Sequence, residues 1–415
     1  MANGHVTYLI VGAGRAAASA AAAIRERDPA SALLMVGQEQ HRPYDRVALS
    51  KEYLRRSMAR DELTVLPMGW FKENNVELRT RTRVALLEVG RQRATLASGD
   101  EVSYEKLLLA TGGSAVPLEV PGAQLPDVFT LRTIDDVSLL HHAIETFARI
   151  PHHTPRAVVV GGGELGIETA ASLTELGVKV DLVVRETHCW SRYAGEAVGR
   201  WLGETLRQRG VNVHLGQPVK QLLGDGRVQR VELAFGHTID TDLLVACVGM
   251  TPNLQLLRGT PIEAQRGVMV DAGCRTSVPN VLAAGDCCML LDPLFGKYRM
   301  LEHWEEAHHQ GRIAGENMAG GQATYDRVSH FTSRFFSHEV HQWGDVRFVD
   351  RRVVRGEVRV DAPSFAEFGL DAQGRVVQVI ALNRDAEYPA YEATLRQKRT
   401  FAGEEDALRD VTKPL

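Results

Sequence analysis

The sequence predicts an α/β protein with two Rossmann-like units and a smaller C-terminal α/β domain. Two stretches carry the two Rossmann-like units. Residues 6–11, "VTYLIV", are a short apolar strand pattern that runs directly into the alanine-rich helix pattern "GAGRAAASAAAAIRER". From residue 156 the same order returns: "RAVVV", then "GGGELGIETAASLTELG", then a second strand "VKVDLVV". A strand that feeds a helix through spaced glycines is the context that gives a G-x-G-x-x-G/A match its meaning.

In the first match Gly12 permits the tight turn, Gly14 lets backbone approach a pyrophosphate, and Ala17 lets helix and strand close up. Gly161, Gly163 and Gly166 take the same three places in the second. The first N–H groups of each helix are the phosphate donors. One such match alone can also open an ordinary α/β unit; two predict two dinucleotides, a bound flavin and a diffusible nicotinamide between which hydride passes. Further along, "YEKLLLATGG" (104–113, with Thr111 and Gly112) and "DLLVACVGMTPN" (242–253, with Gly249) read as apolar strands ending in glycine turns. The second marks the return from an inserted domain. "VPNVLAAGDCC" (278–288) brings Asp286 to a strand end, where it serves either a cofactor hydroxyl or a turn.

Composition sets limits on partners. The 415 residues are 44% hydrophobic and 24% charged, as in ordinary globular chains, and 48 basic against 52 acidic residues argue against a nucleic-acid binder. The start "MANGHVTYLIVGAG" has no basic leader pattern, and no apolar window is long enough to span a bilayer, so a cytoplasmic protein without a membrane span is expected. Cys189, Cys247, Cys274, Cys287 and Cys288 show no paired C-x-x-C spacing, so free thiols and no metal site are expected. The neighbours Cys287 and Cys288 read as buried small residues, because adjacent cysteines make only a strained disulfide. His308 and His309 read as a solvated helix face.

At "RPYDRVALSK", "YEKLLLATGG", "LRTIDD", "GGGELGIE", "AAGD" and "EHWEEAHHQGRIAGENMAG" the chain resembles the two-dinucleotide flavoprotein reductases, within them the group of apoptosis-inducing factor and the oxygenase-linked ferredoxin reductases. The resemblance implies an FAD-binding domain of residues 5–113 and 245–320, an NAD(P)H-binding domain of 114–244, and a C-terminal domain of 321–415. It implies that FAD is held by Gly12, Gly14, Arg46, Lys51, Val84, Arg132, Asp286, Glu302 and His303. Glu39, next to Gln38, is the expected ribose-binding acid. Phe336 in "RFFSHE" stands where relatives often have a tryptophan near the flavin, and Trp304 is either packing or a flavin-edge residue. Where relatives usually carry two prolines before "LSK", this chain has Val47 and Ala48.

The same resemblance places Glu168 on the first turn of the second fingerprint helix, against the Lys51 ammonium beside flavin N5, where the positive charge favours reduced flavin. The helix starting near Glu302 is expected to aim its positive end at the flavin pyrimidine edge. For the nicotinamide cofactor, Val184 and Arg185 end the second strand where an acid would meet a ribose 2′-hydroxyl, with Arg192 further on, and this favours NADPH. A one-residue shift would put Glu186 in the acid's role and restore NADH. The activity implied is hydride transfer from NAD(P)H to flavin N5, then single electrons to a ferredoxin- or rubredoxin-type protein. The alternative is a redox-gated interaction protein like apoptosis-inducing factor, with slow oxidase or quinone reductase activity; homodimerisation stays open. Disulfide reduction is rejected for the lack of thiols in residues 41–54, with Cys287 and Cys288 as the one route left open to it.

Overall fold

The computed structural model describes residues 4–415; the first three residues of the "MANGHV" start lie outside the described residues. The chain divides into two compact units. Met1–Asp45, Arg60–Ser114 and Met250–Arg327 make the first; Arg46–Ala59, Ala115–Gly249 and Val328–Leu415 make the second. The sequence-level limits at 245 and 321 therefore differ from the unit edges at Met250 and Arg327.

In the first unit, the strand Gly4–Val11 lies between Leu33–Val36 and Glu101–Leu109, parallel to both, and Val11 pairs with Val36 on one side and Leu109 on the other. Val76–Arg79 and Val281–Ala283 extend the parallel array, and Arg93–Leu96 and Val84–Glu88 continue it antiparallel beyond Glu101–Leu109. Strands in such a sheet are covered on both faces, so they read as unbroken apolar runs rather than alternating ones; "LLMV" is buried throughout.

The helix Arg15–Arg27 covers one face of this sheet and packs along the helix Trp304–Met318. Its alanine content has a steric reason. A Cβ placed on Gly311 or Gly315 would come within 2.3 Å of the Ala16 and Ala20 carbonyl oxygens respectively, so small residues on both helices let the backbones touch. Both helix starts are thereby fixed to one sheet.

The second unit repeats the plan. Arg156–Val160 lies between Lys179–Val184 and Leu243–Ala246, all parallel, with Asn212–Leu215 and Val128–Thr130 at the edges. The strand Leu243–Ala246 is hydrogen-bonded on both sides within this sheet, which keeps residues 243–249 with the second unit. After the crossing back from the first unit comes an antiparallel five-stranded sheet in the order His330–Phe335, His338–Gly344, Val376–Leu382, Ser364–Leu370, Arg351–Glu357, with the helix Tyr388–Arg396 beside it. This is the smaller C-terminal α/β part.

Both fingerprint turns use the same device. Gly12 has φ +124° and its Cβ would sit 2.0 Å from the Ala110 carbonyl oxygen; Gly161 has φ +122° and its Cβ would sit 2.3 Å from the Cys247 carbonyl oxygen. Any side chain there must push the returning strand away. Gly12→Ala should therefore cost at least about 1–3 kcal/mol for the backbone conformation alone. Equilibrium urea unfolding checks this, and a variant as stable as the parent would show that the turn has room to relax.

Candidate active site

The first cradle is open above its helix. Gly14 is the N-cap of Arg15–Arg27, and a Cβ added there would meet nothing within 4 Å. Ala17 is fully buried under the turn. Glu39, three residues past the second strand, accepts the Tyr44 hydroxyl at 2.6 Å, so its carboxylate is already oriented. Val84 is buried at the start of its strand. Thr111 donates to the Asn253 carbonyl at 2.9 Å, and Gly112, φ +62°, turns the chain beside it.

At the far side of this cradle Val281–Ala283 delivers Gly285, φ +81°, and then half-buried Asp286. Gln310, buried on the helix Trp304–Met318, accepts the Gly285 amide at 2.8 Å and so sets the turn that carries Asp286. His303 caps that helix, with Glu302 just before it. The Arg15 guanidinium lies 4.1 Å over the Trp304 ring. Arg15 Nε and Trp304 Nε1 are buried without a hydrogen-bond partner, two donors next to a glycine turn and two helix N-termini. Open space, orphaned donors and positive helix ends together fit an anionic dinucleotide. His308 is not on a solvated face: its Nδ1 lies 2.8 Å from the Ser19 hydroxyl, and burial pushes its pKa down to about 4.

The second cradle is tighter. Gly163 caps the helix Glu164–Glu175 with open space at its Cβ position, whereas a Cβ on Gly166 would fall 1.9 Å from the Gly161 carbonyl oxygen. The second strand ends at buried Val184, followed by exposed Arg185, whose Nη2 is 2.8 Å from Glu186 Oε1. Arg192 is exposed with its guanidinium 5.6 Å from the Tyr193 ring centre. Gly249, φ +130°, ends this unit's run.

Lys51 and Glu168 meet inside the second unit. Lys51 Nζ is 2.7 Å from Glu168 Oε2, both side chains are buried, and the Ser50 hydroxyl donates to the same oxygen at 2.6 Å. Oε1 accepts from the Ser333 hydroxyl at 3.0 Å and the Arg334 amide at 3.1 Å. Both carboxylate oxygens are thus satisfied by groups that the sequence reading did not name. Glu168 sits one turn into its helix, not on the first turn, because the helix begins at Glu164, directly after Gly163. That first-turn place belongs to Glu164, half-buried, whose carboxyl is pushed up by burial and then by the Glu168 carboxylate, against the Lys51 ammonium.

Arg46 donates to the Arg132 carbonyl at 2.7 Å, tying the loop of residues 46–59 to the segment before the helix Ile134–Ala148. Phe336, φ +50°, forms the hairpin corner between the strands His330–Phe335 and His338–Gly344, under the Arg209 guanidinium. Arg46, Lys51, Arg132 and Phe336 all lie in the second unit.

Residues 6–311 match the family described as Pyridine nucleotide-disulphide oxidoreductase. The chain belongs to that family. It is an FAD-dependent oxidoreductase that uses a pyridine nucleotide. The ferredoxin reductase subunit of 5,5'-dehydrodivanillate O-demethylase from a Sphingobium species is 32% identical, covering 99% of this chain and 98% of the relative. The ferredoxin–NAD(+) reductase component of an anthranilate 1,2-dioxygenase system from Burkholderia cepacia is 30% identical over 91% of this chain and 90% of the relative. Among solved structures, a ferredoxin reductase from Rhodopseudomonas palustris superposes with a TM-score of 0.89 at 28% identity, covering 98% of each chain. The putidaredoxin reductase–putidaredoxin complex, at TM-score 0.90 and 24% identity, covers 98% of this chain and 96% of that one, and bears on the fold. Among the described residues no helix is long and apolar enough to cross a membrane.

Two outcomes test this family member's buried charges. Lys51→Met strands the Glu168 carboxylate and should cost about 3–5 kcal/mol, most of it regained in Lys51→Met/Glu168→Gln; urea unfolding of the two variants would reveal strict additivity if the pair were not coupled. For Glu164 the pKa is raised on folding, so the folded chain holds more protons and stability falls as pH climbs from the ordinary carboxylate value of about 4.3. Glu164→Gln lacks that slope: it should match the parent near pH 4 and exceed it increasingly up to pH 8, and parallel melting curves across that range would contradict the assignment.

Proposed function

We propose that this chain is an FAD-dependent NAD(P)H reductase that passes single electrons to a small ferredoxin- or rubredoxin-type protein. The observation that carries the reading is one chain with two glycine cradles and, in place of a thiol pair, the buried Lys51–Glu168 pair. Its relatives support the acceptor class: ferredoxin reductase components and, at 29% identity, a rubredoxin–NAD(+) reductase from Pseudomonas putida.

When bound, the flavin supplies the redox chemistry, taking two electrons at once from the nicotinamide and releasing them singly. The residues of the chain supply binding and field. Gly12, Gly14 and the N-terminus of Arg15–Arg27 take the pyrophosphate of FAD, Glu39 the ribose, Asp286 a hydroxyl on a turn set by Gln310, and Val84, Thr111 and Gly112 line the cradle. Glu302, His303 and Trp304 would hold the flavin at the positive end of their helix, a field that favours negative charge there. Lys51, held by Glu168, Ser50, Ser333 and the Arg334 amide, adds a positive charge with the same sense. Arg46, Arg132 and Phe336 complete the FAD side, and Gly161, Gly163, Gly166 and Gly249 the nicotinamide side.

NADPH is the favoured donor, because the second strand ends in Val184 and Arg185 rather than an acid, and an arginine pairs with a 2′-phosphate. The relatives named as NAD(+) reductases support the second reading, in which Glu186, already beside Arg185, takes a ribose hydroxyl and NADH is used. A cytoplasmic location is part of the proposal and is supported by five free cysteines.

The test begins with the absorbance of the purified protein. A flavin spectrum that bleaches anaerobically on NAD(P)H addition and returns on adding oxidised ferredoxin or rubredoxin is expected, and a protein that neither retains nor takes up flavin ends the proposal. Arg185→Ala should lower kcat/KM for NADPH by about 10- to 100-fold, the loss of one charge-assisted contact to phosphate. It should leave NADH within about twofold.

A further inference from the structure

The loop that joins Lys179–Val184 to the helix Glu196–Gln208 carries Arg185, Glu186 and Arg192, and its backbone is held from two sides. On the cradle side the Trp190 amide donates to the Gly162 carbonyl at 2.8 Å. On the other side stands the C-terminal sheet. Arg352 Nη2 and Gln378 Nε2 both donate to the Tyr193 carbonyl, at 2.9 and 3.0 Å, and the Gly195 amide donates to Glu367 Oε1 at 2.8 Å. Arg352 Nη1 joins these contacts, 2.7 Å from Glu367 and 3.1 Å from Gln378. Glu367 and Gln378 are fully buried. Trp190, also buried, packs its ring against Tyr193 and Phe331 and holds φ +55°, a conformation a tryptophan keeps only when its surroundings impose it.

Connecting loops are ordinarily the least constrained part of an α/β unit. Here an ion pair between half-buried Arg352 and buried Glu367 is committed to two backbone groups of one loop. Such pairs contribute little to stability over an apolar replacement, because desolvation offsets the attraction. What the arginine fork does contribute is fixed geometry, since its two ends reach a carboxylate and a carbonyl at once. The loop held this way is the one that follows the second strand of the nicotinamide cradle.

We propose that Arg352 and Glu367, on the C-terminal sheet, are positioning residues for the adenosine 2′ end of the pyridine nucleotide, acting through the loop of Arg185 and Arg192. The inference rests on the reading that this loop meets the 2′ position. It makes the C-terminal domain a determinant of nucleotide affinity as well as a cover for the fold.

Calorimetric titration of the holoprotein with 2′,5′-ADP and with ADP-ribose isolates that end from flavin chemistry. Arg352→Met/Glu367→Gln removes one of the two donors to the Tyr193 carbonyl without stranding a buried charge and keeps an acceptor for Gly195. It should weaken 2′,5′-ADP about tenfold and ADP-ribose less, and raise KM for NADPH by a similar factor with kcat within about twofold. Arg352→Lys should not rescue the loss, because one ammonium cannot span both acceptors. Gln378→Met, a neutral change that removes one donor to Tyr193, should weaken 2′,5′-ADP about threefold and guards against a misfolded double variant. A folded double variant with unchanged 2′,5′-ADP affinity overturns the inference. Arg185→Ala/Arg192→Ala separates the two levels: if it weakens 2′,5′-ADP and the Arg352 variants do not, the positioning role alone fails. If it has no effect, or the parent binds no 2′,5′-ADP, the underlying reading of the loop fails with it.

Discussion

The second unit is organised around one carboxylate. Glu168 is buried, charged groups resist leaving water, and a carboxylate in that position needs every lone pair engaged. Its two oxygens collect an ammonium, two hydroxyls and an amide from residues 50, 51, 333 and 334. Two separate stretches are thereby drawn to one point on the helix Glu164–Glu175. Ser172, one turn further along, donates to the Ser50 carbonyl at 2.7 Å and fastens the same loop a second time. This explains why Arg46–Ala59 leaves the unit that contains its chain neighbours on both sides and packs with the second. It also bears on Val47 and Ala48: a loop tied by Glu168, Ser172 and the Arg46–Arg132 contact does not depend on prolines for its rigidity.

The duplicated cradle shows one steric solution used at two tolerances. In both copies the first glycine abuts the carbonyl of the strand that returns beside it, and in both the N-cap glycine faces open space. They differ at the third position. Ala17 accommodates its methyl group beneath the first turn, whereas at Gly166 any Cβ would collide with the Gly161 carbonyl. The first helix gains its close approach elsewhere, through Ala16 and Ala20 against Gly311 and Gly315. That contact connects the fingerprint helix of the first unit to the helix capped by His303, so two positive helix ends are positioned by one interface of small residues.

Much of this was legible in the chain because it rests on local pattern. The apolar runs, the glycine spacings, the helix "RAAASAAAAIRER" and the strand that carries Asp286 all follow from periodicity and turn chemistry over a few residues. The pairing of Lys51 with Glu168 came from resemblance, since nothing local links residues 117 positions apart. Ser333 and the Arg334 amide were not legible at all: an alternating strand pattern reports burial but not the partner of a hydroxyl. Gln310 had a weak signal, a polar residue in line with the buried small residues Ala307, Gly311, Ala314 and Gly315. The misplaced helix start at Glu168 has a similar origin, because the third glycine was read as preceding the helix when Gly163 already caps it.

The thiols complete the account of charge in place of sulfur. Thiolate, not thiol, is the nucleophile in disulfide exchange, and it forms in exposed, electropositive surroundings. All five cysteines here are free and buried, and burial pushes Cys189 and Cys247 up to about 12. Cys287 and Cys288 face different partners: the first approaches the Leu109 and Ala284 carbonyls, the second Gln310 Oε1, and burial raises both. A member of a family described by disulphide chemistry thus has no thiol suited to it, and the loop "PYDRVALSK" places an ammonium at a buried carboxylate instead. A flavin held by this chain would supply the redox chemistry itself, with no thiol pair in residues 41–54 to take its two electrons together.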